Sequence, residues 1–222
     1  MSDAKTLLGW ALWWAREQWP DAVLVPELSV ASWGGARLDL GIVTPSELIG
    51  VEIKGEGDSA GRLQLQGWSY SMVATQMFLL PCDLLRTKCF NAKPPGWLMC
   101  RNTEGGWYNL KHESGVRQRG HGFDGKTLAH SPQRLVELLW ADEVRRLVRA
   151  FDVDIMGTRG ADQRAKCVAE QVPLGKLRPK VYQTLYERRW EAAGIPKKVW
   201  RPDDAVALAR DRSVGCAQAG ET

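Results

Sequence analysis

Asp39, Glu52 and Lys54 are the residues of this chain whose types and spacing carry the clearest chemistry. Two carboxylates converging on one face, with an ammonium beside them, can hold a hard divalent cation and activate a water for hydrolysis. Their convergence follows from a β-hairpin. Strands at residues 37–43 and 48–54 flank the turn Thr44-Pro45-Ser46-Glu47. Closing that loop pairs Val43 with Leu48 and sets the register. Leu38, Leu40 and Ile42 then face Ile53, Val51 and Ile49 across one apolar side. On the other side Arg37 meets Lys54, Asp39 meets Glu52, and Gly41 meets Gly50. Opposed Cβ atoms lie about 4.5–5.5 Å apart, where like charges destabilise a strand pair. Such a pair is tolerated if one carboxyl stays protonated, if cations neutralise it, or if a metal sits between. The metal reading is preferred here, with the glycine pair leaving the carboxylates open to something large. The alternative is an exposed strand face on which Arg37 and Lys54 salt-bridge the two acids.

The elements needed to position this hairpin can be read around it. A helix spans residues 4–19 and stops at Pro20. Trp10, Trp13 and Trp14 share one of its faces and read as core packing. A strand at 22–30, containing Glu27, precedes the Gly34-Gly35 turn. After the hairpin, Asp58 or Ser59 caps a helix reaching to about residue 74. A short buried strand at 77–80 ends at Pro81. The order is helix, three strands, helix, strand, with a parallel crossover back into the sheet. A further hairpin, 96–101 with 107–111, turns at Glu104-Gly105-Gly106.

Asp39, twelve intervening residues and then Glu52-Ile53-Lys54 resemble the D…(D/E)xK core of the PD-(D/E)XK nuclease superfamily. Arg62-Leu63, Gln66 and Tyr70 resemble the Q-x-x-x-Y helix that follows that core in RecB-like members. Leu138-Leu139-Trp140 is similar to the start of the helical tail in small bacterial and phage proteins of that kind. Leu38 stands where the superfamily's name has proline. The resemblance implies an α/β fold: a restriction-endonuclease-like αβββαβ core with a mixed sheet, followed by a small all-helical C-terminal region. It implies that Asp39, Glu52 and the Ile53 carbonyl hold Mg²⁺, with Mn²⁺ able to substitute, and that Lys54 orients the attacking water or neutralises the transition state. Glu27 is implied as a third metal-binding acid; an ordinary strand-end glutamate is the other reading. Gln66 is implied to contact Lys54 or the DNA backbone. Tyr70 is implied to support the site or touch the DNA strand, with packing against the sheet as the other reading, and Arg62 either holds phosphate or salt-bridges Asp58. The site would lie in a bacterial or phage-infected cytoplasm.

Bulk properties fit an ordinary globular chain, with 44% hydrophobic and 25% charged residues. Five cysteines, odd in number and without a CxxC pair, argue against a disulfide framework and a zinc site, and fit a reducing compartment. The apolar run 7–15 is too short to span a bilayer, so no membrane role is expected. Without a P-loop the chain is not expected to use ATP. His112, His121 and His130 lack the partners of a metal site.

Residues 1–130 carry 13 basic and 13 acidic residues, whereas residues 131–222 carry 17 and 13, holding the whole net charge of +4. The division read from this is a nuclease-like core at 1–111, a flexible linker at 112–132, a basic helical region at 133–201 and a partly disordered tail at 202–222. The helical segments are 133–151, 161–171 and 174–189, the last kinked or delayed by Pro179. Lys176, Arg178 and Lys180 are its candidate DNA contacts. A solvated helix face is the alternative. The functional expectation is a Mg²⁺-dependent DNA nuclease. The alternative is a catalytically inactive nuclease-fold factor that binds DNA or a protein. A homodimer or another protein partner is left open.

Overall fold

The computed structural model describes residues 3–30, 36–103, 106–109 and 130–190. The chain begins with helix α1 (Ala4–Gln18), which Asp3 caps by accepting from the Thr6 N–H at 2.7 Å. Strands β1 (Val23–Ser29), β2 (Arg37–Val43) and β3 (Leu48–Lys54) follow. A 3₁₀ turn (Ala60–Arg62) leads into α2 (Leu63–Ser71), and then come β4 (Gln76–Pro81), α3 (Arg86–Ala92), β5 (Leu98–Thr103) and β6 (Gly106–Asn109).

The six strands lie side by side in chain order. β1, β2 and β3 are antiparallel neighbours, β3–β4 and β4–β5 are parallel, and β5–β6 is antiparallel. The sheet is therefore mixed, and the fold is α/β. All seven residues of β3 are buried, as a central strand requires.

Helices cover both faces. Phe78 lies opposite Val51, and the next pair along, Leu79 and Glu52, points the other way. Trp14 of α1 meets the Phe78 ring edge-on at 4.9 Å, so α1 lies on the Phe78 face. Gln66 of α2 reaches Lys54, so α2 lies on the Glu52 face. The expected tryptophan face of α1 is core: Trp14 is buried, and Trp10 and Trp13 pack against it partly buried.

The C-terminal half is helical: α4 (Pro132–Glu137), α5 (Ala141–Ala150), α6 (Ala161–Gln171) and α7 (Leu174–Glu187). One helix was expected over residues 133–151; two are found. Arg188, from beyond α7, donates to the Leu138 carbonyl at 2.8 Å, and Glu143 accepts from the Trp140 N–H at 2.8 Å. These two bonds satisfy one carbonyl and one N–H among the backbone groups that the break leaves open. Pro179 sits inside α7 without ending it. This half shares one hydrophobic core with the sheet. It is also tied to the turn after α2: Ser131 N–H donates to Met72 O (3.1 Å), the Tyr182 hydroxyl donates to Val73 O (2.8 Å), and His130 Nε2 pairs with Ala74 O (3.0 Å). His130 is thus a buried structural residue. The expected loop at 112–132 falls mostly, and the expected tail at 202–222 wholly, outside the described residues. Among those described, no helix is long and apolar enough to cross a membrane.

Candidate active site

The hairpin turn locks the register. Thr44 Oγ1 accepts from the Glu47 N–H at 3.0 Å and the Ser46 N–H at 3.3 Å, and the Thr44 N–H closes the loop onto Glu47 O at 3.0 Å. Val43, Ile42, Gly41 and Leu40 pair with Leu48, Ile49, Gly50 and Val51, as the sequence predicts. At Asp39 the ladder stops. The strands part there, and Asp39 Oδ2 accepts the Ile53 N–H at 2.6 Å in place of a backbone carbonyl. A side chain thus takes over a strand-pairing bond and fixes the carboxylate against the strand that carries Glu52 and Lys54.

Two expectations about the neighbours are corrected. Arg37 does not pair across to Lys54; its guanidinium lies 3.2 Å from Glu27. The glycines do not open a ligand space. A Cβ at Gly41 would fall 2.5 Å from Leu28 Cδ2, and one at Gly50 would fall 2.4 Å from Met77 Sδ and 2.8 Å from Leu38 Cδ2. The pair admits core side chains beneath the site, and Leu38 leans towards Gly50 rather than belonging only to the opposite face.

Glu52 and Lys54 are buried, at 1% and 7% exposure, which excludes a solvated strand face. Lys54 Nζ donates to Glu52 Oε1 at 2.7 Å and to Gln66 Oε1 at 3.3 Å. Gln66 Nε2 in turn donates to the Tyr70 hydroxyl at 3.3 Å, and that hydroxyl donates to Arg37 O at 2.7 Å. A continuous chain of polar contacts therefore runs from β3 through α2 to β2. The Tyr70 hydroxyl also lies beside Glu52, but its single proton is committed to Arg37 O. Glu52 Oε2 is left buried without a hydrogen-bond partner among the described residues. An orphaned carboxylate oxygen in the interior is costly unless something positive meets it.

Burial raises the Asp39 carboxyl above its ordinary value, against the lowering effects of the Ile53 N–H and the Lys54 charge. Burial likewise pushes Glu52 up to about 7, and the Asp39 charge adds to this while Lys54 opposes it. Two acids beside one lysine make the cluster an electron-rich place for a cation. Among the described residues no three His, Cys, Asp or Glu side chains converge. A cation would take Asp39, Glu52 and the Ile53 carbonyl from the protein and complete its shell with water or phosphate. That sparse, all-oxygen set suits Mg²⁺.

Glu27 lies in β1 between the pairs Pro26–Leu40 and Leu28–Leu38, across from Asp39. Its backbone is left-handed, with φ 53°, which costs a non-glycine residue about 1–2 kcal/mol. Its carboxylate is directed to Arg37 at the rim.

Tyr70, considered as a DNA contact, is fully buried, stacked on Trp97 with ring centroids 6.0 Å apart; it supports the site instead. Arg62 is exposed at the start of α2. The Asp58 carboxylate braces its own turn by accepting the Gly55 N–H at 2.7 Å. Lys176, Arg178 and Lys180 are exposed on α7, outside the Asp39–Lys54 cluster, and Arg178 Nη1 lies 3.4 Å from His130 Nδ1. Arg37 was missed as the partner of Glu27; their positions across two neighbouring strands become visible only once the β1–β2 register is known.

No protein-family model, curated protein or solved structure matches the chain.

Proposed function

We propose that this chain is a metal-dependent deoxyribonuclease of the PD-(D/E)XK kind, with a restriction-endonuclease-like core and its phosphodiester-cleaving centre at Asp39, Glu52 and Lys54. The observation that carries the reading is the parting of β2 and β3 at Asp39. It leaves two acids from adjacent strands, one with an orphaned oxygen, facing a lysine that α2 holds in place. The element order α1-β1-β2-β3-α2-β4 with a parallel β3–β4 pair supports it.

When bound, Mg²⁺ supplies positive charge to the scissile phosphate and acidifies a water in its shell. Asp39 spends one oxygen on the Ile53 N–H, which orients the other for the ion. The Glu52 oxygen that lacks a partner would be the second ligand. Lys54 has three protons; Glu52 and Gln66 take two, and the third is available to direct a water or meet phosphate oxygen. Gln66 and Tyr70 are positioning residues that fix the ammonium.

The test is cleavage of plasmid and single-stranded DNA with Mg²⁺ or Mn²⁺ by the wild type, Asp39→Ala and Lys54→Ala. The wild type should cut and both variants should lose the activity, by about 10²-fold or more. Variants that cut as well as the wild type contradict the assignment. A wild type that binds DNA without metal and cuts under no divalent ion favours the inactive, DNA-binding reading.

A further inference from the structure

We propose that the groove between α5 and α7 is a second nucleic-acid site, which seats one nucleotide unit of a single strand away from the Asp39–Lys54 centre. The ligand class rests on the nuclease reading above; the site does not share its residues. The groove is a cavity of about 410 Å³. α5 contributes Trp140 just before its first turn and Arg146 one face further along. α7 contributes Lys180 and Thr184, one turn apart, and Arg189 follows its end.

Its charges sort into spent and available. Glu143 is consumed by Arg188: both are buried, joined by two hydrogen bonds, and the guanidinium lies 4.3 Å from the Trp140 ring centroid and 4.6 Å from that of Trp190. Asp142 is held by Arg145, and Glu187 accepts from Gln183. Arg146 comes no closer than 4.0 Å to the already occupied Glu143. Lys180 and Arg189 make no salt bridge among the described residues. Three available cations therefore share a groove whose acids are engaged.

Lys180 and the end of α7 are separated by about 10 Å of helix, which suits a chain carrying successive phosphates better than one isolated anion. The volume is that of a single small-molecule site, too small for a double helix and adequate for one base with its sugar. Trp140, 38% exposed, puts part of an indole on the wall, where a base can meet it as bases meet aromatic platforms.

The experiment measures binding of a labelled oligothymidylate and of a duplex of equal length, in EDTA, over a salt series. It compares the wild type with the Arg146→Ala/Lys180→Ala/Arg189→Ala variant, in which all three changes are at exposed positions. The wild type should prefer the single strand. The variant should bind it at least tenfold more weakly, with a salt slope shallower by about 2. Equal affinity and slope in the two proteins, equal binding of duplex, absence of strand binding, or binding of free thymidine monophosphate only would overturn the proposal. Because hydrolysis is suppressed in EDTA, a wild type that binds but never cuts separates failure of the nuclease reading from failure of this one.

Discussion

Glu52 makes the energetics of the centre measurable without any activity. In the folded chain burial and the neighbouring Asp39 move its carboxyl from 4.5 to about 7. Between those values the folded protein keeps a proton that the unfolded chain has released, so stability falls as pH rises. The contribution is complete below the unfolded value and lost above the folded one, and the shift corresponds to about 3 kcal/mol. For a chain of this size that is about 6–12 °C in Tm. Asp39, also raised, adds in the same direction. His130, lowered by burial, acts in the opposite direction, with stability gained as pH rises towards its unfolded value. The difference between wild type and Glu52→Gln isolates Glu52, since glutamine keeps the volume and can still accept from Lys54. Urea denaturation in EDTA from about pH 5 to pH 8.5 should show the wild type losing about 2–3 kcal/mol relative to the variant. Millimolar Mg²⁺ should restore the wild type at high pH and leave Glu52→Gln nearly unchanged. Parallel pH profiles for the two proteins would refute the reasoning.

Breaking the buried Glu143–Arg188 pair with Arg188→Ala should cost about 3–5 kcal/mol in urea denaturation, because Glu143 is left buried without its partner. Arg188→Lys should recover only part of this, since an ammonium cannot fork between Glu143 and Leu138 O. Gly50→Ala should cost about 1–3 kcal/mol in the same assay, because its Cβ meets Met77 and Leu38. Tyr70→Phe removes the hydroxyl between Gln66 and Arg37 O; it should lower cleavage about tenfold while costing only about 1 kcal/mol of stability.

The part of the site that was legible in the sequence is the part that local chemistry fixes. Thr44 and Pro45 specify a turn, alternation specifies the faces, and together they give the Leu40–Val51 to Val43–Leu48 register. The contact of Gln66 with Lys54 was one of the two that the Q-x-x-x-Y resemblance implied, the DNA backbone being the other. The parting of the strands at Asp39 was not legible, because it depends on a side chain replacing a backbone acceptor. Nor was the use of Gly41 and Gly50, which depends on Leu28, Leu38 and Met77 arriving from three strands. The split between α4 and α5 is likewise tertiary. The apolar spacing of Leu135, Leu139, Val144 and Val148 runs through the break, while the bonds that stabilise it come from Glu143 and the distant Arg188. Glu143 accepts the Trp140 N–H, but tryptophan is not a capping residue, so nothing at position 140 marks a helix start in the sequence. α3 was missed because seven residues with one buried member leave no periodic pattern.

The claim that matters most is that Asp39 and Glu52 share a divalent cation. Crystals soaked in Mn²⁺ and measured at its absorption edge test it directly. The account predicts an anomalous peak within coordinating distance of both carboxylates, absent from crystals of Asp39→Asn. A peak elsewhere, or none while Lys54 keeps its contact with Glu52, would contradict it.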